Sequence, residues 1–372
     1  MFLAVKEILR SKVRFGGLVA AVGLLMYLIL VQQALASALV LSFNGAIMSQ
    51  TAPLLVYSTD ALRAPQGSVI TAEMRDQVDD SAFVVRVGDI GISGITLESS
   101  TTSPSEPVSA TLWGYEDVTL GGPATLSEGV LPTRANEAAG SAGSFTLGET
   151  VAVVESSGSR EVKIVGLVPD SQISVTPTLF MPWTSYEQIV KAVNPRIQQV
   201  IPNLLGVSPM GSDSETIVVL QNISNDLDPL TKVDAAASFP GASQVKQSFL
   251  IILGLFGVVV PLVTGLFFLI TTLQKARSLT LLRAVGSRVS VLVTAVIAQV
   301  VLVLGLGIGL GVGLYGLTTL IEIGSLQIRF DWVAVFGWTL LVTALSFVAA
   351  LGSVRRVLSI DPVLATRGGG TQ

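Results

Sequence analysis

Apolar residues gather along this chain in four long runs that no charge interrupts: Phe15–Thr59, Gln247–Gln274, Val289–Ile321 and Trp332–Val354. Crossing a bilayer as an α-helix takes about 20 largely apolar residues. Every run is long enough, so the pattern predicts four transmembrane helices: one starting at residue 15, then 247–274, 289–321 and 332–354. Between the first two runs, residues 60–246 show the mixed pattern of a folded soluble domain. Thr71–Val78 reads as a capped helix, and Ala82–Val87, Ser109–Tyr115, Val151–Val154, Val162–Val168 and Thr216–Leu220 read as strands. Thr184-Ser185-Tyr186-Glu187 has capping-box spacing ahead of a helix through Val193, and the Gly- and Ser-rich stretches 99–107 and 138–144 read as loops. The predicted fold class is an α-helical membrane protein with an extracytoplasmic α+β domain between helices 1 and 2.

The first run is too long for one crossing. Residues 15–59 are read as transmembrane helix 1 and its outward extension, which places Phe43, Met48 and Tyr57 near the outer membrane boundary. Ala34-Leu35-Ala36 resembles a signal-peptidase site, but Phe15–Val31 exceeds a usual signal core, so an uncleaved anchor is expected. Ahead of it, residues 1–14 set Phe2, Leu3, Val5, Ile8 and Leu9 against Lys6, Arg10 and Lys12. That pattern fits an amphipathic helix on the inner membrane face, or a basic flank that fixes topology. In the third run Gly305, Gly309 and Gly313 share one helical face at a spacing that lets helices approach closely. The overlapping Gly311-Val312-Gly313-Leu314-Tyr315-Gly316 follows no strand and is read as helix packing, not as a dinucleotide loop.

Charge orients the spans. Lys6, Arg10, Lys12 and Arg14 precede the first, Lys275, Arg277, Arg283 and Arg288 lie between the second and third, and Arg355, Arg356 and Arg367 follow the fourth, against only Glu7 and Asp361. Residues 60–246 carry 22 acidic and 10 basic side chains. Basic loops stay on the cytoplasmic side. Both termini and the 275–288 loop are therefore expected inside and the large domain outside, in a multi-pass protein of the plasma membrane. Composition agrees: 13% of residues are charged, against about a quarter in soluble domains.

Cysteine and histidine are both missing from the sequence. The outside domain must then be held by its own core rather than by disulfides, and Ser-His-Asp or His-zinc chemistry is excluded. The chain has no Gly-Lys pair and so no phosphate-binding loop of the Walker type. If ATP is used, another polypeptide binds it. The predicted spans hold no charged side chain, which argues against ion-driven transport and against a charged channel filter. The scattered carboxylates of 60–246 form no catalytic cluster, and nothing points to a nucleic-acid partner. A scaffold, a receptor, or a permease driven from outside its own spans remains.

The segment 275–288 narrows this. Leu279, Leu282 and Val285 share a helical face and Gly286 closes the element. It is either a connecting helix with topology-setting arginines or a helix docked into a partner. Leu282-Arg283-Ala284-Val285-Gly286, a long span after it, and Ile360-Asp361-Pro362-Val363-Leu364-Ala365 together resemble the FtsX-like permease family, which includes MacB-like proteins. The resemblance implies four spans, a large outside domain, an amphipathic N-terminal helix, a homodimer and a separate ABC ATPase subunit. It makes 275–288 the cytoplasmic coupling helix, with Arg277, Leu279, Leu282, Arg283, Val285 and Arg288 docking the ATPase, and 355–372 a cytoplasmic tail.

Within that family, Ala4-Val5-Lys6-Glu7-Ile8, Phe267-Phe268, Thr272-Leu273-Gln274-Lys275 and Asp361-Pro362 are similar to the heme-exporter permeases of the HrtB type. That similarity implies heme as transported cargo, driven by ATP bound on the partner subunit. Without His or Cys, iron ligation falls to Met, Tyr, Lys, a carboxylate or water. Cargo arriving from lipid would meet Met26 and Tyr27 in the first span and Phe43, Met48 and Tyr57 beyond it, in a groove between two copies of that span. Gln32, Gln33 or Asn44 would face the propionates. Two rival functions keep the family. One is export of another lipophilic or peptide cargo, and the other is mechanical regulation of a cell-wall hydrolase without transport.

Overall fold

The structure, a computed structural model, describes residues 12–99, 107–274, 289–320 and 330–358. They fall into two compact units: Ser37–Lys246, and the helical segments up to Ala36 and from Gln247 onward. The helices are α1 (Lys12–Ser49), α2 (Ala72–Asp79), α3 (Trp183–Val193), α4 (Asp213–Ile223), α5 (Lys232–Ala237), α6 (Ala242–Gln274), α7 (Val289–Thr318) and α8 (Trp332–Leu358). The strands are β1 (Leu54–Ser58), β2 (Val84–Ser99), β3 (Val108–Tyr115), β4 (Glu128–Gly129), β5 (Glu137–Ser141), β6 (Thr150–Glu155), β7 (Gly158–Val168), β8 (Thr178–Pro182), β9 (Leu204–Pro209) and β10 (Leu227–Thr231).

Stretches of α1, α6, α7 and α8 are long and apolar enough to cross a membrane: Phe15–Ser49, Ala242–Phe267, Ile297–Thr318 and Trp332–Ala349. In the helical unit Met26, Ile29 and Leu30 pack with Leu253, Val260, Tyr315, Val335 and Val342. The outward faces are as apolar as the core: Ile251 is 69% exposed, Leu255 65%, Val333 82% and Leu340 73%. Patches of this kind on a water-soluble helix are an aggregation hazard, whereas hydrocarbon solvates them.

Close packing in this unit uses a different glycine face from the one the spacing predicts. A Cβ at Gly307 would lie 2.8 Å from Val22 Cγ1, and one at Gly311 would lie 2.7 Å from the Gly23 carbonyl. Around Gly305, Gly309 and Gly313 nothing lies within 4 Å. Spacing alone cannot choose between the two faces. The choice falls to α1, which presents its own small residue, Gly23, between Val22 and Met26. Gly307→Leu and Gly311→Leu are accordingly expected to cost about 1–3 kcal/mol by overpacking. Gly305→Leu and Gly309→Leu should stay within about 0.5 kcal/mol. Thermal midpoints of the four variants in one detergent check this, and equal midpoints would refute the assignment.

The second unit is one ten-stranded sheet in the order β10-β1-β9-β2-β3-β8-β5-β7-β4, with β6 pairing both β2 and β7. Two sub-structures share it. In the first, β10-β1-β9-β2, every neighbour is antiparallel, with α2 between β1 and β2 and α4 between β9 and β10. This is a split β-α-β plait. The second is inserted between β2 and β9. Here β6 links β7 back to β2, closing β2-β3-β8-β5-β7-β6 into a ring around Leu97, Leu112, Val153, Ile164, Leu179 and Met181.

Strand β1 explains why the first apolar run outlasts its helix. Side chains alternate across a strand. Leu54 and Val56 enter the core under α2 and α4, and Leu55 and Tyr57 enter the core on the opposite face with Ala46, Ile47 and Ala236. A strand buried on both faces reads as a continuous apolar run. Residues 50–59 are therefore not a helical extension of the span. Helix α1 ends at Ser49, and Pro53 precedes the strand. Leu54 pairs with Thr231, so the chain joins and leaves this sheet on adjacent strands.

Three local readings also change. Thr216–Leu220 lies within α4, whose true signal is Ser212, its side chain accepting from the Glu215 N–H. Thr184 does not cap α3: the helix starts at Trp183 behind Pro182 with no side-chain cap, because strand β8 runs directly into it. Within 138–144, expected as loop, residues 138–141 belong to β5, whose small side chains fit between β7 and β8.

Candidate functional site

The five residues expected for heme are shared between the two units. Met26 is 0% exposed, packed in the helical unit against Gly311. Tyr27 is half-buried beside it. Phe43, Met48 and Tyr57 belong to the sheet unit. Phe43 packs on the core with a ring carbon close to Gly241, and Met48 is 39% exposed. Tyr57 is 0% exposed and its hydroxyl has no hydrogen-bond partner among the described residues. Burial, with Asp228 nearby, holds that phenol above its ordinary range, so it stays protonated and neutral. Met26 and Tyr57 thus offer no ligand atom to a visitor in this chain. Tyr57 stands on strand β1, inside the core of the sheet unit, and not on a helical extension of the first span. The docking set Arg277, Leu279, Leu282, Arg283, Val285 and Arg288 lies outside the described residues, as do residues 1–11 of the N-terminal segment and the tail beyond Leu358.

What sequence reasoning missed is a clasp on the last turns of α1. The Ala46 N–H donates to the Gln172 carbonyl at 2.9 Å, and the N–H groups of Ser174 and Val175 donate to the carbonyls of Phe43 and Ser42 at 3.0 and 2.8 Å. Such intimate main-chain contact needs a residue without a side chain. A Cβ on Gly45 would stand 2.1 Å from the Asp170 carbonyl oxygen. The clasping loop is itself strained, with Asp170, Ser174 and Val175 all at positive φ, of 48°, 51° and 65°. For a β-branched residue such as Val175 this conformation is an outlier, and it persists only where surroundings enforce it. Asn44, on the same turn, donates from Nδ2 to the Ala236 carbonyl at 2.7 Å, tying α1 to α5. The only advance sign was Gly45 next to Asn44, near the end of the apolar helix.

Some charged groups elsewhere in the sheet unit pair with one another. Arg75 on α2 reaches Asp89 at 2.8 Å and Glu116 at 3.1 Å, and burial pushes the Asp89 carboxyl up against the opposing pull of Arg75. Arg86 meets Asp117 at 2.8 Å, and Arg63 meets Asp228 at 2.9 Å. Among the described residues no group of His, Cys, Asp or Glu could hold a metal ion. These ion pairs join strands and helices of the fold and form no reactive centre.

Fold and layout together define a class: an apolar four-helix unit whose first two helices bracket a plait-and-ring sheet domain. No protein-family model matches this chain. No curated protein matches it either. Among solved structures it is similar to the periplasmic region of MacB from Actinobacillus actinomycetemcomitans, at 13% identity and a TM-score of 0.36 over 50% of this chain and 92% of that one. It is also similar to the extracellular domain of the noncanonic ABC-type transporter YknZ from Gram-positive bacteria, at 13% identity and a TM-score of 0.32 over 48% of this chain and all of that one.

Proposed function

We propose that this chain is the permease subunit of an ABC-type efflux transporter, multi-pass in the plasma membrane with both termini inside. In this reading it works as a homodimer with a separate ATPase. The observation that carries the reading is the layout: apolar outward faces on every long helix, with one folded domain inserted between the first and second. The absence of a phosphate loop from the sequence and the resemblance of Leu282–Gly286 to the coupling segment of FtsX-like permeases support the separate ATPase. ATP closure of the ATPase pair would move the 275–288 segments and, through them, the spans. Heme is the cargo we propose, on the resemblance of the Gln274-Lys275 segment and the N-terminus to heme-exporter permeases. With Met26 and Tyr57 sealed, Met48 is the sulfur we propose for the iron.

The test is reconstitution in liposomes with its partner ATPase. The chain alone is expected to hydrolyse no ATP, and the complex to hydrolyse it faster with heme present. Leu282→Asp should uncouple or disassemble the complex, since burying one leucine contributes about 1.5–3 kcal/mol. Turnover by the chain alone, or an unaffected Leu282→Asp complex, would overturn the permease reading. Heme-independent turnover, together with a Soret band unmoved by Met48→Ala, would overturn the cargo while leaving the permease in place.

A further inference from the structure

A groove of about 560 Å³ opens on the ring side of the sheet unit, and nothing above assigns it. Its lining joins apolar surface from Val108, Phe145 and Val151 to two carboxylates, Glu98 on β2 and Glu149 before β6. Phe145 and Val151 are 8% and 4% exposed and form the floor, whereas Val108 is 52% exposed. Among the described residues no lysine or arginine lines the groove. Asp89, Glu116, Asp117, Glu155, Glu187 and Asp228 of this unit meet an arginine or lysine, whereas Glu98 and Glu149 make no ion pair among the described residues. Glu149 is held in place, accepting at one oxygen from the N–H and hydroxyl of Thr146 at 2.8 and 3.0 Å. The opposite wall is the strained loop, contributing Gln172 and Val175. These are two of the residues whose main chain grips α1 at Ala46 and Ser42.

From this combination we propose that the groove binds a small apolar cation, and that its occupant bears on the loop that clasps α1. Apolar walls supply the affinity and the two uncompensated carboxylates supply the sign of the charge, the usual division of labour in a ligand pocket. An anion is disfavoured, heme with its propionates included. This site is therefore distinct from the proposed export path and does not depend on it. A ligand against Val175 presses on a residue already held in a disfavoured conformation, so it shifts the loop by whatever it favours differently in the clasped and released forms.

The experiment uses the full-length chain in a non-ionic detergent, with empty micelles as blank. Two probes of nearly the same shape and opposite charge are compared by calorimetry: tetraphenylphosphonium and tetraphenylborate. Saturable binding of the cation, and none of the anion above the blank, is expected. Glu98→Gln with Glu149→Gln should weaken the cation about tenfold, a modest figure because both carboxylates are solvent-facing. Val108→Trp, at an exposed position that tolerates size, should abolish binding by filling the groove while leaving both charges. Equal binding of the two probes, or undiminished binding by both variants, would overturn the site. Hydrogen exchange at the Ala46 amide reads the coupling. A change of at least threefold on saturation with tetraphenylphosphonium is expected, and an unchanged rate in a chain that binds the cation would overturn the coupling.

Discussion

Gly45→Ala is expected to destabilise the sheet unit even though alanine is a better helix former than glycine by about 1 kcal/mol. The new methyl carbon would be placed 2.1 Å from the Asp170 carbonyl oxygen and 3.3 Å from that of Gln172. Both obstacles are main chain, and neither can rotate aside. Either α1 shifts or the clasp opens. Overpacking of this kind costs about 1–3 kcal/mol. Opening forfeits the three main-chain bonds from residues 42–46 to the loop, at about 1 kcal/mol each. The two routes differ in hydrogen exchange. A released clasp accelerates the amides of Ala46, Ser174 and Val175 together, whereas a shifted helix leaves them slow. A variant with an unchanged midpoint and unchanged exchange would show that the contact is not formed.

The second large effect belongs to Tyr186. Gly91 and Gly114 are paired opposite one another on β2 and β3. The Tyr186 ring lies across both: a Cβ on Gly91 would meet its Cε1 at 2.2 Å, and one on Gly114 its Cγ at 2.3 Å. The ring is 2% exposed, and Trp183 tilts against it at 5.3 Å between ring centres. Two glycines leave a slot in the sheet that one aromatic ring fills, which fixes α3 to the ring of strands. Tyr186→Ala should therefore cost about 3–5 kcal/mol, in the range of large aromatic truncations. Tyr186→Phe keeps the ring and should cost less than about 1.5 kcal/mol. Denaturant unfolding followed by tryptophan fluorescence measures both, with Trp183 as the local probe. A Tyr186→Ala loss below about 1 kcal/mol would contradict the slot.

Hydropathy made the long helices legible because a span must satisfy its backbone within itself and stay apolar over a fixed length. Strands such as Ser109–Tyr115 and Val162–Val168 were legible because their side chains alternate or run apolar between turn signals; the structure places them in β3 and β7. The errors have separate causes. A segment buried in protein and a segment buried in lipid look alike, so β1 was absorbed into the first span. The β-branched run of Thr216–Leu220 hid a helix that only the Ser212 cap declared. Of the candidate site, residue type was legible but exposure was not. Whether a methionine faces a cavity or a neighbouring helix depends on contacts distant in sequence, as Met26 against Gly311 illustrates. The Asp170–Val175 clasp had no local pattern at all, since its strain is imposed from outside the loop.

The pairing of Leu54 with Thr231 bears on how such a chain can change over generations. The sheet domain has both its ends on one ladder, and Lys232 returns to the Gln50 and Pro53 carbonyls at 3.2 and 3.0 Å. A unit whose ends meet can be gained, lost or exchanged by a single recombination without altering the gap that its flanks must bridge. The same geometry recurs one level down, where β2 and β9 are antiparallel neighbours and the ring of strands is inserted between them. The domain is nested: ring within plait, plait within helices. Such a cassette lets the innermost module diversify while the plait and the helices stay under their own constraints.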